Sequence, residues 1–257
     1  MDFDLFTSLS APATALAFAL VLLGSSLQVA TGVGLGLIAG PSLLLLVDGP
    51  SAILTAIILN LVLTACLLPS ELREVSGGLL VRLCGWACLG IPAGTALLSF
   101  ASAPSLKIAG GVIVLLSVAQ LRFLPIPVDR REGAPGWVVG LGGIVSGTMT
   151  GALAVPGPVA LWTVLSSGIG STAVRATLRA YFFVAYTVAL IIHLLMTQRD
   201  TNSWALSVVL LPAVGLGIAL GLFGRQAMGT DRLRKVLELV LLVMGVSLLS
   251  RGIWDVS

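Results

Sequence analysis

The chain has 257 residues, of which 57% are hydrophobic and only 10% are charged, with a formal net charge of +3 at pH 7. This composition excludes a soluble domain, which would need a polar exterior, and predicts an all-α integral membrane protein whose helices satisfy their own backbone hydrogen bonds in lipid. The long unbroken apolar runs exclude a transmembrane β-barrel, and the scattered basic residues between them exclude a nucleic-acid-binding surface.

Ten apolar segments follow one another along the chain between charged residues and helix breakers. They are predicted near 11–31, 34–47, 51–69, 77–99, 105–123, 136–153, 155–168, 172–197, 204–226 and 235–253. The polar linker 125–135 divides them into a first membrane repeat, 1–124, and a second, 136–257. The amino terminus has two acids and no base, so we expect a retained first span and not a cleavable signal peptide.

The second and seventh segments are too short to cross a bilayer. A helix of 14 residues reaches about 21 Å, whereas the hydrocarbon core is about 30 Å thick. Each short segment is expected to stop partway or to pair with the preceding segment as a helical hairpin. The chain is therefore predicted to have about 8–10 hydrophobic helices.

Both short segments adjoin a Gly/Pro-broken sequence that occurs once in each half, 115 residues apart. The copies are TGVGLGLIAGP at 31–41 and SGTMTGALAVP at 146–156, and each combines a hydroxyl residue, two glycines and a proline in the same order. Matching broken segments in two halves of a membrane protein indicate a substrate site near the bilayer midplane. This feature predicts a transporter.

Successive loops are alternately rich and poor in basic residues, and this bias predicts how the chain is oriented in the membrane. One set of loops contains Arg73, Arg82, Arg122, Arg130, Arg131, Arg175, Arg179, Arg225, Arg232, Arg234 and Lys235. The opposite set contains only Lys107, Arg199 and Arg251. The first set, with the linker 125–135, is therefore predicted to be cytoplasmic and both termini to lie outside. An odd number of crossings in each half would make the two halves inverted with respect to each other, as in many secondary transporters.

The first copy, GVGLGLIAGP, is followed by Asp48-Gly49-Pro50 and Ala52-Ile53, and a second Gly…Pro copy follows the central linker. Over nearly its whole length the chain resembles the TauE/SafE family of membrane transporters. It departs from the family's consecutive glycines, since Leu35 separates Gly34 from Gly36. The resemblance implies export or uptake of small anions, typically sulfite, sulfoacetate or related organosulfur compounds, across the bacterial cytoplasmic membrane.

An anion that leaves water inside a membrane needs hydrogen-bond donors. A helix amino terminus supplies free N–H groups and a positive dipole end, glycine lets a ligand approach the backbone, and nearby hydroxyls add donors. We therefore expect the two broken segments to meet and hold the anion between them. The residues predicted to bind it are Thr31, Gly32, Gly34, Gly36, Pro41, Ser146, Gly147, Thr148, Thr150, Gly151, Pro156, Arg175 and Arg179. The alternative is that these small residues allow close helix packing.

Arg175 and Arg179 are spaced i, i+4, so a helix places both guanidinium groups on one face, where they suit an oxyanion. The alternative is a pair that contacts lipid headgroups. Asn60 and Tyr181 occupy matching positions in the two halves and are expected to form hydrogen bonds between helices. His193, the only histidine, could couple transport to protons or bond a neighbouring helix.

No catalytic residue, metal site or cofactor is predicted. A passive anion channel is the nearest alternative to a carrier. An intramembrane serine protease that uses Ser146 and His193 is the enzymatic alternative, although Ser146 lacks the Gly-x-Ser turn of such enzymes. The expected partners are a small anion, the lipid bilayer and, in a homo-oligomer, further copies of the chain.

Overall fold

A computed structural model describes residues 9–47, 49–123, 133–196, 201–227 and 230–256. Within these ranges the chain forms ten α-helices and no strand. They are α1 (Ala11–Thr31), α2 (Leu35–Leu46), α3 (Pro50–Leu67), α4 (Gly77–Phe100), α5 (Ala103–Phe123), α6 (Gly136–Leu153), α7 (Gly157–Leu165), α8 (Ser171–Met196), α9 (Thr201–Ala227) and α10 (Thr230–Trp254). Two 3₁₀ turns, Leu68–Ser70 and Leu72–Glu74, connect α3 to α4. Most of the predicted linker lies outside the described residues, as do Asp48, Arg130, Arg131 and Arg199.

Eight of the described helices are long and apolar enough to cross a membrane. The other two, α2 and α7, have 12 and 9 residues. The prediction of an all-α fold with about 8–10 hydrophobic helices and one short, broken segment in each half is therefore confirmed. The helix bounds agree with the apolar runs because each lipid-embedded segment must satisfy its own backbone hydrogen bonds, which only a continuous helix does.

Each short helix folds back on the helix before it. A Cβ at Gly24 of α1 would lie 3.2 Å from Leu35 Cα and 3.3 Å from Ile38 Cβ of α2. A Cβ at Gly142 of α6 would lie 2.9 Å from Thr163 Cγ2 of α7. These contacts confirm the predicted pairing of each short segment with its predecessor. We call α1–α2 hairpin 1 and α6–α7 hairpin 2.

The two hairpins bend at positions that the sequence repeat does not match. Hairpin 1 bends at Gly32, which has a left-handed φ of 85° that glycine adopts without strain. Its counterpart in the repeat, Gly147, lies inside α6, and hairpin 2 bends instead at Ala154, with φ 56°. The bends are thus 122 residues apart, whereas the repeat spacing is 115. Pro156, two residues after the second bend, has no N–H to continue α6, whereas Pro41 lies within α2.

Helices of one half pack against helices of the other in corresponding pairs. Helix α4 packs on α6 and α9 packs on α1, while α3 lies against α8 and α5 against α10. Exchanging the halves, with α1 for α6 and α4 for α9, leaves this pattern unchanged. The inverted direction of the two halves stays a prediction.

Charged side chains mark two opposite ends of the bundle. Arg175 of α8 bonds Glu71, which follows α3, so we call this end the arginine end. At the opposite end, which we call the lysine end, Lys107 Nζ lies 3.0 Å from Asp255 Oδ2, and Arg251 Nη1 donates to the carbonyl oxygen of Leu45. The ends are opposite because α3 spans the distance between the end of α2 and Glu71. The cytoplasmic location of the arginine end stays a prediction.

Candidate functional site

The two hairpins contact each other in the interior of the bundle. A Cβ at Gly36, near the start of α2, would lie 3.9 Å from Pro156 Cδ of hairpin 2. A Cβ at Gly157 would lie 3.4 Å from Val33 Cγ1, and one at Gly40 would lie 3.7 Å from Ala154 Cβ. All of these residues are buried. The expected meeting of the broken segments is therefore present, and we call this region the crossing.

Five buried polar side chains surround the crossing. They are Gln28, Asn60, Ser146, Tyr181 and Tyr186, and each is at most 1% exposed. They come from α1, α3, α6 and α8, so four helices supply polar groups to one interior region. We call these five residues the crossing cluster.

The crossing cluster satisfies backbone groups that the bends leave unpaired. Gln28 Oε1 accepts the N–H of Gly36 at 3.2 Å, which caps the buried start of α2. Tyr186 donates its hydroxyl to the carbonyl oxygen of Ala154 at 3.1 Å. Ser146 donates to the carbonyl oxygen of Pro156 at 2.9 Å and, since that uses its one proton, accepts from Tyr181 Oη at 2.7 Å. Hairpin 1 is thus held by a side chain of its own first helix, and the bend of hairpin 2 by side chains of α6 and α8.

Two glycines of hairpin 1 are required by close contacts in this region. A Cβ at Gly36 would lie 2.6 Å from Tyr186 Oη and 3.5 Å from Asn60 Oδ1. A Cβ at Gly34 would lie 2.7 Å from the carbonyl oxygen of Gly24. Asn60 donates Nδ2 to the carbonyl oxygen of Ala56, while its Oδ1 is buried without a hydrogen-bond partner among the described residues. One amide oxygen therefore faces the start of α2 with its acceptor capacity unused.

Thr31 stabilises the turn of hairpin 1 and does not point a free hydroxyl at the crossing. Its Oγ1 lies 2.8 Å from the carbonyl oxygen of Leu27 and 2.6 Å from that of Val33. Gly32, next in the chain, lies against α8, since a Cβ there would be 3.7 Å from Arg175 Cγ. The turn of hairpin 1 thus lies beside the arginine pair.

Arg175 and Arg179 share one acidic partner, Glu71. Glu71 Oε1 lies 2.9 Å from Arg175 Nε and 2.6 Å from Arg179 Nη1, which confirms that both guanidinium groups lie on one face of α8. Arg179 Nη2 also donates to the carbonyl oxygen of Val29 in α1 at 3.2 Å. The Arg179 side chain is only 4% exposed, whereas that of Arg175 is 30% exposed. Arg179 is therefore held inside the protein, which does not fit the lipid-headgroup alternative for this residue.

One face of α8 connects the arginine pair to the crossing. Arg175, Arg179, Phe182 and Tyr186 follow one another at helical spacings of four, three and four residues. The rings of Phe182 and Tyr186 lie 6.4 Å apart, centroid to centroid. At about 1.5 Å per residue this face extends about 16 Å from the cations to the bends. The arginine pair and the crossing are therefore two parts of one region.

A comparison with protein families identifies the chain. Residues 16–248 match the family model described as Sulfite exporter TauE/SafE, which is nearly the whole chain. The chain belongs to the TauE/SafE family. No curated protein and no solved structure matched it. Family membership and the eight long apolar helices agree in describing a multi-pass membrane protein of a transporter family.

Three predicted site residues of this TauE/SafE protein lie where α4 crosses α6. A Cβ at Gly147 would lie 2.9 Å from Ala87 Cα, and one at Gly151 would lie 2.8 Å from the backbone nitrogen of Thr95. Thr148 lies between them, and its hydroxyl donates to the carbonyl oxygen of its own helix at Ile144. Close packing of the two helices accounts for both glycines, as the small-residue alternative predicts.

Two further predicted residues are buried without reaching the other hairpin through a side-chain hydrogen bond. Thr150 donates to the carbonyl oxygen of Ser146 in its own helix at 2.7 Å. Pro41 lies inside α2. The structure thus gathers Gly32, Gly34, Gly36, Ser146, Pro156 and the two arginines into one region, whereas Gly147, Thr148 and Gly151 belong to the α4–α6 contact.

Ser146 and His193, the pair considered for proteolysis, bond different partners. Ser146 bonds Tyr181 and Pro156, whereas His193 Nδ1 lies 2.9 Å from the carbonyl oxygen of Ala189 in its own helix. A serine nucleophile needs a histidine base within hydrogen-bond reach. Their arrangement does not form that dyad.

Sequence reasoning missed three residues of this region: Gln28, Glu71 and Tyr186. Gln28 is an amide within an apolar run, which is itself a signal, because polar side chains in membrane helices normally have a partner inside the protein. Tyr186 follows Arg179 by seven residues, on the same helical face. Glu71 carries no local signal, since its partners lie more than a hundred residues away and acids near helix ends are common.

Proposed function

We propose that this TauE/SafE protein is a carrier for a small anion, with sulfite or a small organosulfonate as cargo, and that the anion binds between the arginine pair and the crossing. The single observation that carries the proposal is the buried Arg179 beside the turn of hairpin 1. A cation inside a membrane protein is costly and is retained where it has a task or a partner. The planar guanidinium groups of the pair suit the oxygen atoms of a sulfonate or sulfite.

Packing at the crossing favours a carrier over a passive channel. A channel needs a continuous pore. The hairpins are in van der Waals contact here, and the surrounding polar side chains are at most 1% exposed. An anion passes this point only when the hairpins or their neighbours move. Such movement is what alternating access requires.

Counterflow in proteoliposomes tests the proposal. Purified protein is reconstituted with unlabelled sulfite inside, and uptake of labelled sulfite is followed with alkanesulfonates, sulfate and thiosulfate as competitors. A carrier gives saturable uptake that depends on internal anion. Uptake that is equal with and without internal anion would indicate a channel, and no uptake of any of these anions would refute the proposed cargo.

The arginine pair is tested by substitution. Arg179→Gln and Arg175→Gln are each expected to lower saturable uptake by about tenfold or more, since a hydrogen bond to a charged group contributes about 1.5–3 kcal/mol. Arg82→Gln is the matched control, because Arg82 is exposed and, within the described part of the chain, its hydrogen bond goes to the carbonyl oxygen of Gly78 in its own helix. Equal uptake by the three variants would contradict the assignment of the site.

Family membership fits transport and not catalysis. We infer further that the protein lies in the bacterial cytoplasmic membrane, with the arginine end cytoplasmic and both termini outside. The excess of basic residues in the loops of the arginine end supports this orientation. With an inside-negative potential, an anion that leaves the cell as a monoanion gains about 2.3 kcal/mol per 100 mV.

A further inference from the structure

Glu71 occupies the arginine pair in the way an anion would. One oxygen, Oε1, lies 2.6 Å from Arg179 Nη1 and 2.9 Å from Arg175 Nε. The second oxygen, Oε2, is buried and has no hydrogen-bond partner among the described residues. A carboxylate that served only to anchor two arginines would gain more by using both oxygens. Glu71 therefore leaves one of its two carboxylate oxygens unused, although both guanidinium groups are adjacent to it.

Glu71 lies at the entrance to the site and not in a long helix. It connects the two 3₁₀ turns after α3, and its side chain is 13% exposed. Arg175, the outer member of the pair, is 30% exposed, while Arg179 is buried against α1. An anion arriving from the arginine end therefore reaches Arg175 and Glu71 before it reaches Arg179.

The charged cluster formed by Arg175, Arg179 and Glu71 carries a net charge of +1. The two guanidinium groups contribute +2 and the Glu71 carboxylate contributes −1. A singly charged oxyanion would bring this total to zero. A doubly charged one would leave a net charge of −1 in a largely buried region, where uncompensated charge is costly. Removing the carboxylate would reverse this balance.

We propose that Glu71 determines the charge selectivity of the carrier, so that the arginine pair accepts singly charged alkanesulfonates and hydrogensulfite in preference to dianions such as sulfate and thiosulfate. This inference rests on the proposed transport function. Glu71 acts here as a built-in counter-anion that stays near the pair while the cargo binds. It discriminates by repelling the second charge of a dianion, which is specificity through an unfavourable contact.

The measurement is the ratio of two inhibition constants in the counterflow assay. Methanesulfonate is the monoanionic competitor and thiosulfate the dianionic one. Glu71→Gln, which raises the cluster to +2, is expected to shift the ratio toward thiosulfate by about tenfold, since like-charge contacts in a buried region cost several kcal/mol. Glu74→Gln is the matched control. Glu74 is an exposed residue three positions after Glu71, so its substitution removes the same charge outside the cluster and should leave the ratio unchanged.

A double variant separates charge from structure. The double variant Glu71→Gln, Arg175→Gln keeps the charge of Arg179 alone and returns the cluster to +1. The preference for methanesulfonate should therefore return, even though the ion pairs of Glu71 with Arg175 and with Arg179 are both absent. A purely anchoring role for Glu71 predicts that the double variant is worse than either single variant and that the ratio is unchanged in all of them. That result would overturn the inference.

The outcomes also separate this inference from the proposed function. If the wild-type protein exchanges sulfonates but Glu71→Gln has the same ratio as Glu74→Gln, the selectivity role is wrong and the carrier function stands. If the wild-type protein exchanges none of the anions, the proposed function fails and the inference fails with it. If Glu71→Gln does not elute as a monodisperse species in detergent, the ratio of inhibition constants is compared between the double variant, at +1, and Arg175→Gln, at net zero charge. A ratio shifted toward thiosulfate in the double variant supports the selectivity role, and equal ratios contradict it.

Discussion

Replacement of Gly36 by alanine tests the geometry of the crossing directly. The new Cβ would lie 2.6 Å from Tyr186 Oη, well inside van der Waals contact, so the tyrosine hydroxyl must move away from the carbonyl oxygen of Ala154. Overpacking of a filled interior costs about 1–3 kcal/mol. Loss of the Tyr186 bond leaves a buried carbonyl oxygen unpaired, at about 1–3 kcal/mol. Alanine's better helix propensity offsets at most about 1 kcal/mol, so Gly36→Ala is expected to destabilise by about 1–6 kcal/mol.

The assay is equilibrium unfolding in detergent micelles, followed by tryptophan fluorescence. Gly85→Ala is the matched control, since nothing lies within 4 Å of a Cβ at this helical glycine, and it should be neutral or slightly stabilising. Tyr186→Phe removes the hydroxyl, so adding Gly36→Ala to it should cost much less than in the wild type. Equal stability of the Gly36 and Gly85 variants, or strict additivity with Tyr186→Phe, would refute the geometry.

Three further predictions concern packing, orientation and surface charge. Gly151→Leu should prevent recovery of folded protein and not only reduce transport, because α4 backbone atoms occupy the space of its side chain; normal folding with lost uptake would contradict this. In cells, an impermeant maleimide should label Ser102→Cys and spare Glu74→Cys, each in a cysteine-free background, and the reverse pattern would invert the orientation. Asp255→Asn should destabilise by at most about 1 kcal/mol in the same unfolding assay, since the Lys107–Asp255 pair is 38% exposed at the acid; a larger loss would show a structural role.

The arginine pair illustrates how far local sequence spacing predicts a site. The i, i+4 spacing of Arg175 and Arg179 correctly placed both guanidinium groups on one face, because helix geometry alone decides this. The same spacing is equally compatible with lipid headgroups or with an internal site. The burial of Arg179 and its bond to the carbonyl oxygen of Val29 in α1 place this residue inside the protein, and both are long-range contacts that the spacing does not contain.

The broken segments show the opposite case, because the sequence repeat and the bends in the structure differ in register. Both halves do contain a bend, and the bends do meet. The repeat, however, pairs Gly147 with Gly32, although Gly147 lies inside α6, packed against α4, and not at a bend. Glycine serves in membrane helices both for bends and for close packing. A pattern made of glycine and proline therefore locates a broken segment but not the residue at which it breaks.

The membrane fold, the series of apolar helices, the two short hairpin helices and the family can all be predicted from the amino-acid sequence. These follow from local physics, since a segment in lipid must satisfy its own backbone and its length limits whether it can cross. Three contacts could not be predicted in this way and depend on how the helices pack: Glu71 pairs with two arginines of α8, Tyr186 bonds the bend at Ala154, and Gln28 caps α2. The Glu71 and Tyr186 contacts join residues far apart in the chain, and the Gln28 contact depends on α2 folding back on α1. Among many similar apolar helices, the packing of whole helices selects which polar side chains meet.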